Sequence, residues 1–111
     1  MMIYSEGEKA KNHKPVIECP EEVKAGEEFE LRVYVSGHPN KTEHSIRWIE
    51  VYFEEEGRDF NPIMLSRSAF SEFVSPDVTL KVKLERSGKI VALAYCNKHG
   101  LWEGKKEVKV V

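Results

Sequence analysis

No apolar run in this sequence is long enough to cross a membrane as a helix. The longest, I-V-A-L-A-Y-C from Ile90 to Cys96, stops far short of the ~20 residues such a span needs. The N-terminus lacks the basic-then-apolar pattern of a secretory signal, because M-M-I-Y runs at once into S-E-G-E-K. The two absences lead to the expectation of a cytoplasmic protein with no membrane partner. Neither sign of charge dominates. A net charge of -2 gives no domain-wide basic field, which argues against nucleic acid as a partner. Cysteine is scarce: Cys19 and Cys96 are the two present, and in a reducing cytosol a disulfide between them is disfavoured. There is no helical stripe with caps, no internal repeat and no low-complexity segment. The 111 residues are the size of one domain, 1–111, and its first dozen residues (1–12), rich in Lys and Glu, read as a mobile arm.

What is present is alternation. In E-F-E-L-R-V-Y-V, Phe29, Leu31, Val33 and Val35 share one face. In V-T-L-K-V-K-L, Val78, Leu80, Val82 and Leu84 alternate with Thr79, Lys81 and Lys83. Period 2 is the mark of a half-buried strand. Further strands are expected at 16–18, 46–53, 63–66, 90–95 and 107–111. Turn signals separate them, such as Ser36-Gly37-His38-Pro39-Asn40 and Ser75-Pro76-Asp77. About seven short strands in such a chain predict an all-β, antiparallel β-sandwich. The acidic run Glu54, Glu55, Glu56 reads as solvated surface. Trp48 reads as a core aromatic, whereas Trp102 is open between core packing and shielding a site.

The chemistry gathers in the histidines. His13, His38, His44 and His99 all avoid the middle of the alternating strands, and sandwich loops converge at the two ends of the sheets. In C-N-K-H-G-L-W, Cys96 and His99 are spaced so that one turn presents a thiol and an imidazole together. His38 and His44 flank a second turn. Four imidazoles and a thiolate exceed the tetrahedral shell of a structural zinc. They suit a five-coordinate transition metal with one position open, and one thiolate among imidazoles is compatible with iron or copper. The surplus of histidines argues against blue copper, which uses two. An immunoglobulin-like module with a structural metal and an electron-transfer protein with no substrate position are the rivals. A metal hydrolase is disfavoured, because no carboxylate accompanies the histidine blocks.

Three segments, G-E-K-A-K-N-H-K-P-V-I-E, H-P-N-K-T-E-H-S-I-R-W-I and C-N-K-H-G-L-W, resemble the signature blocks of superoxide reductases, and most of all the one-iron class called neelaredoxin. The resemblance implies a seven-stranded immunoglobulin-like sandwich and one mononuclear iron per chain, cycling between Fe2+ and Fe3+. It places equatorial ligands at His13, His38, His44 and His99 and an axial thiolate at Cys96. The implied reaction is one-electron reduction of superoxide to hydrogen peroxide at an open sixth position. A rubredoxin or similar small electron donor and a homotetramer are implied as partners. The chain departs from the family where members usually read E-K-H-V-P and this one reads K-N-H-K-P. Lys11 replaces the Glu that fills the sixth site in the oxidised state, and Asn12 replaces the usual catalytic Lys. The cationic role is then expected to pass to Lys11, or to Lys9 or Lys14. Cys19 matches no ligand and reads as a small near-core residue.

Overall fold

The structure, a computed structural model, describes residues 2–111. Its strands are β1 (Ile3–Tyr4), β2 (Val16–Glu18), β3 (Glu22–Val23), β4 (Phe29–Tyr34), β5 (Ile46–Glu55), β6 (Ile63–Ala69), β7 (Asp77–Val82), β8 (Gly88–Cys96) and β9 (Gly100–Val110). They form two layers. One sheet runs β1-β9-β8-β5-β6, with β3 added to β9, and the other runs β2-β4-β7. Nine strands replace the expected seven or so, because β1 and β3 are two-residue pieces too short to show alternation. Both join β9 in parallel, so the sandwich is antiparallel in its long strands only. The expected mobile arm is largely built into the fold: β1 pairs with Leu101 and Trp102, and Glu8–Asn12 forms a 3-10 turn. Met1 of that arm lies outside the described residues.

The alternation does the packing. Leu31 and Val33 of β4 face Ile49, Val51 and Phe53 of β5 and Ile90, Ala92 and Ala94 of β8, and all eight are fully buried. Burying such side chains is worth about 1.5–3 kcal/mol each for the larger ones. Cys19 packs, partly buried, against this core, as expected. Trp48 does not. It lies half-buried on the outer face of the larger sheet, its ring stacked on Tyr95 at 5.5 Å. A register shift between Ile46 and Trp48 explains the difference, since the extra residue sets Ile46 on the core face and Trp48 outside.

Two features fix the end of the sandwich where β5 begins and β8 finishes. Cys96 occupies the last position of β8 on the face of Ile90, Ala92 and Ala94, so its sulfur points between the sheets, with no exposure. Asn97, Lys98 and His99 then turn the chain into β9, and Gly100 takes φ 87°, the left-handed conformation such a loop needs.

Candidate metal centre

Four segments meet at this end. His13 follows the 3-10 turn, and its ring is almost wholly buried. Its Nδ1–H donates to the Lys9 carbonyl at 2.9 Å and lies 2.7 Å from Asn12 Oδ1. Both partners accept, so the proton sits on Nδ1 and Nε2 carries a bare lone pair. Pro15 extends the chain into β2 over Gly104 of β9, where a Cβ would stand 2.3 Å from the Pro15 carbonyl oxygen. Glycine at 104 is what allows the His13 segment to lie so low on the sheet.

His38 repeats the device. Its Nδ1–H donates to the Pro39 carbonyl at 2.7 Å, and its Nε2 comes within 3.3 Å of Cys96 Sγ. His44 closes a small bridge with Lys41 and leaves a buried Nε2 with no hydrogen-bond partner. His99 turns Nδ1 toward His13 Nε2 at 3.2 Å, and its backbone N–H donates to Cys96 Sγ at 3.3 Å. The sulfur's amide donor is thus His99. Asn97 and Lys98 would be the nearer guesses from sequence, but the Asn97 N–H is spent on the Ser45 carbonyl. The Asn97 side chain pins the neighbouring loop, accepting from Ser45 N–H and donating to the Glu43 carbonyl.

The imidazoles form a square. Ring centroids are 4.6 Å apart for His13–His38, 4.6 Å for His38–His44, 4.9 Å for His44–His99 and 5.1 Å for His13–His99. The diagonal His13–His44 is longer, 6.2 Å. Neighbouring rings stand edge to face, at 76–88°. Donor atoms of His13, His44, Cys96 and His99 all lie within 4.8 Å of one another, and His38 joins through the sulfur. All five residues singled out in the sequence therefore meet. No carboxylate belongs to the cluster among the described residues.

Burial pushes every one of these imidazoles below its ordinary pKa. For His38 desolvation, against the opposing Pro39 carbonyl, brings it to about 4. For His13 desolvation again leads, opposed by the Lys9 carbonyl and reinforced by His99 and His44. His44 and His99 follow the same cause, with the charges of Lys9 and Lys98 adding to it. At neutral pH the square holds uncharged rings whose lone pairs converge. Such a set is unfavourable by itself and is satisfied by a cation. The donor chemistry of imidazoles plus one thiol fits a single transition metal ion.

Around the site, Trp102 is buried, packs its ring at a tilt against His13, 5.3 Å between centroids, and donates its indole N–H to the His99 carbonyl at 3.1 Å. It shields the site, which settles the role that sequence left open. Tyr4 packs in turn at a tilt against Trp102, 5.3 Å between centroids; sequence reasoning missed it because β1 carries no pattern. Lys9, Lys11 and Asn12 line an open groove beside His99 and Trp102, while Lys14 does not.

A β-sandwich with four imidazoles and one thiol at one end of its core is a mononuclear metal-site protein of the histidine–thiolate class. The desulfoferrodoxin family profile matches residues 5–105. A superoxide reductase of Pyrococcus horikoshii is 39% identical, with 91% of this chain and 90% of that protein covered. The neelaredoxin of Megalodesulfovibrio gigas is 37% identical, over 90% of this chain and 88% of its own. A solved structure of a superoxide reductase (neelaredoxin) variant from Ignicoccus hospitalis superposes with a TM-score of 0.95 at 55% identity, covering 99% of this chain and 95% of that one. The chain belongs to the desulfoferrodoxin family.

Proposed function

We infer that this protein is a superoxide reductase, converting superoxide to hydrogen peroxide at one iron held by His13, His38, His44, His99 and Cys96. The observation that carries the reading is the square of neutral imidazoles closed on a buried sulfur, in a chain of this family. When bound there, iron supplies the single electron that, with two protons, turns superoxide into hydrogen peroxide, a role suited to imidazole and thiolate donors.

The chain's own residues set the conditions. Cys96 Sγ is sealed from solvent and takes one N–H from His99, a contact that tunes its donor strength toward a bound metal. The carbonyls of Lys9 and Pro39 hold His13 and His38 in the tautomer that offers Nε2. Asn12, at the position where the family resemblance implies a lysine, adds to the grip on His13 rather than supplying charge. The attraction of a small anion then rests on Lys9 and Lys11 at the groove. Lys9 has the better support, because its charge bears on His13, His44 and His99. Steering of this kind changes on-rates by roughly 10 to 1,000-fold and weakens with salt. With Lys11 in place of the usual Glu, that position offers no carboxylate to the sixth site.

The electron is returned by a rubredoxin or similar small donor. A homotetramer is supported by the outer face of the larger sheet, where Val91, Leu93, Tyr95 and Leu101 stand half-buried with no layer over them. A cytoplasmic setting suits the two free cysteines; no helix among the described residues is long and apolar enough to cross a membrane.

The test is a pulse of superoxide on the reduced, iron-loaded protein. One hydrogen peroxide per superoxide with no dioxygen is expected. Dioxygen release would make it a dismutase, and no rapid reaction would leave an electron carrier.

A further inference from the structure

The groove beside the site is larger than its substrate requires. It measures about 830 Å³ and runs between the N-terminal segment and the sheet edge, lined by Tyr4, Lys9, Lys11, Ser36, His99 and Trp102 among others. A water-sized molecule takes about 30 Å³, and superoxide is little bigger. A diatomic anion explains neither the groove's length nor the aromatic surface left on its wall. Tyr4 is 38% exposed, and its ring lies against Trp102, which lies against His13 and bonds the His99 carbonyl. The surface is therefore joined to the square by two ring-to-ring contacts, each 5.3 Å between centroids.

We propose that this groove is the docking site of the protein's reductant, the acidic face of a small one-electron carrier protein, with Tyr4 and Trp102 as the point of electron entry. The proposal rests on the superoxide-reductase reading and names the surface that its donor uses. Charge selects the occupant. Lys9 and Lys11 line the groove and Glu8 is its one acidic residue. The hollow at the far end of the sandwich is lined by Glu54, Glu55, Glu56 and Glu107, with Lys89 and Lys109. An acidic carrier is attracted to the first and turned away from the second. One electron passes per encounter: the carrier is oxidised, the protein returns to its reduced form, and no bond is made or broken.

The experiment follows re-reduction of the oxidised, iron-loaded protein by stopped flow, with a reduced acidic rubredoxin and separately with ascorbate. Tyr4→Ser and Ser36→Glu should slow the rubredoxin reaction about tenfold at low salt and the ascorbate reaction less than about twofold. Phe73→Ser, at an exposed loop tip outside the groove, and Lys89→Glu, at the far end, should change neither. Equal slowing with both reductants, or none with either, overturns the proposal. So does a second copy of the chain in the groove, seen by sedimentation as a dimer that Tyr4→Ser dissociates. The superoxide pulse on protein reduced beforehand reads the parent assignment independently, since no carrier takes part.

Discussion

The sulfur of Cys96 meets the ring of His38 and the N–H of His99 at the same distance, 3.3 Å, and both contacts depend on its position at the end of a core-facing row. Cys96→Ser keeps the size and loses the soft donor. It should abolish the visible charge-transfer band of the oxidised protein and slow the superoxide reaction far more than removal of one lysine, as absorption and pulse measurements will record. Lys9→Ala should lower the superoxide on-rate up to about tenfold at low salt, with a flatter salt dependence. Lys11→Ala should lower it less, because the charge of Lys9, not that of Lys11, presses on the imidazoles. If Lys11→Ala is the slower variant, the steering charge is the other lysine.

Two glycines of the larger sheet test which strand contacts serve the site and which serve the fold alone. A Cβ on Gly104 would stand 2.3 Å from the Pro15 carbonyl, and one on Gly88 would stand 2.1 Å from the Glu54 carbonyl. Each alanine variant should cost about 1–3 kcal/mol, read by thermal melting. Only Gly104→Ala should also shift the absorption of the iron-loaded protein, because Pro15 is two residues from His13 while Gly88 is at the far end. The long strands were legible at this scale. Alternation in 29–35 and 78–84 announced β4 and β7, and the donors were legible because every histidine avoids the strand interiors. The rest was not. β1 and β3 are two residues each, and the first half of β9 mixes Gly, Trp and Glu, which hides its period. The core placement expected for Trp48 failed because a bulge, invisible in a hydropathy pattern, moves the face by one residue.

Across the whole molecule, charge ties the smaller sheet together while the site ties its loops. Arg32 of β4 bonds Asp77 of β7 at 2.6 Å and Glu18 of β2 at 3.3 Å. The Arg32 guanidinium holds the Asp77 carboxyl below the usual carboxylate range. The folded state therefore binds its proton less readily than the unfolded chain. That stability is present above the unfolded carboxyl value of about 4 and is lost as pH falls through the lower folded value. Asp77→Asn should lower the melting temperature slightly at neutral pH and leave it unchanged near pH 2, since the pair is exposed and screened. Removing the metal should act on different segments. His13 and His99 are 86 positions apart and His38 and Cys96 are 58, so without an ion those loops are held only by packing and a few hydrogen bonds, such as those of Asn97 to Ser45 and Glu43. Hydrogen exchange after chelation should rise at 8–14, 36–45 and 97–99 and stay low in β5 and β8.

Because the sulfur shares its row with Ile90, Ala92 and Ala94, one residue inserted or deleted between them sets the thiol and that row on opposite faces, unless a bulge like the one in β5 absorbs the change. The row that fills the core thus also aims the donor, so a chain that keeps this packing keeps its thiol between the sheets.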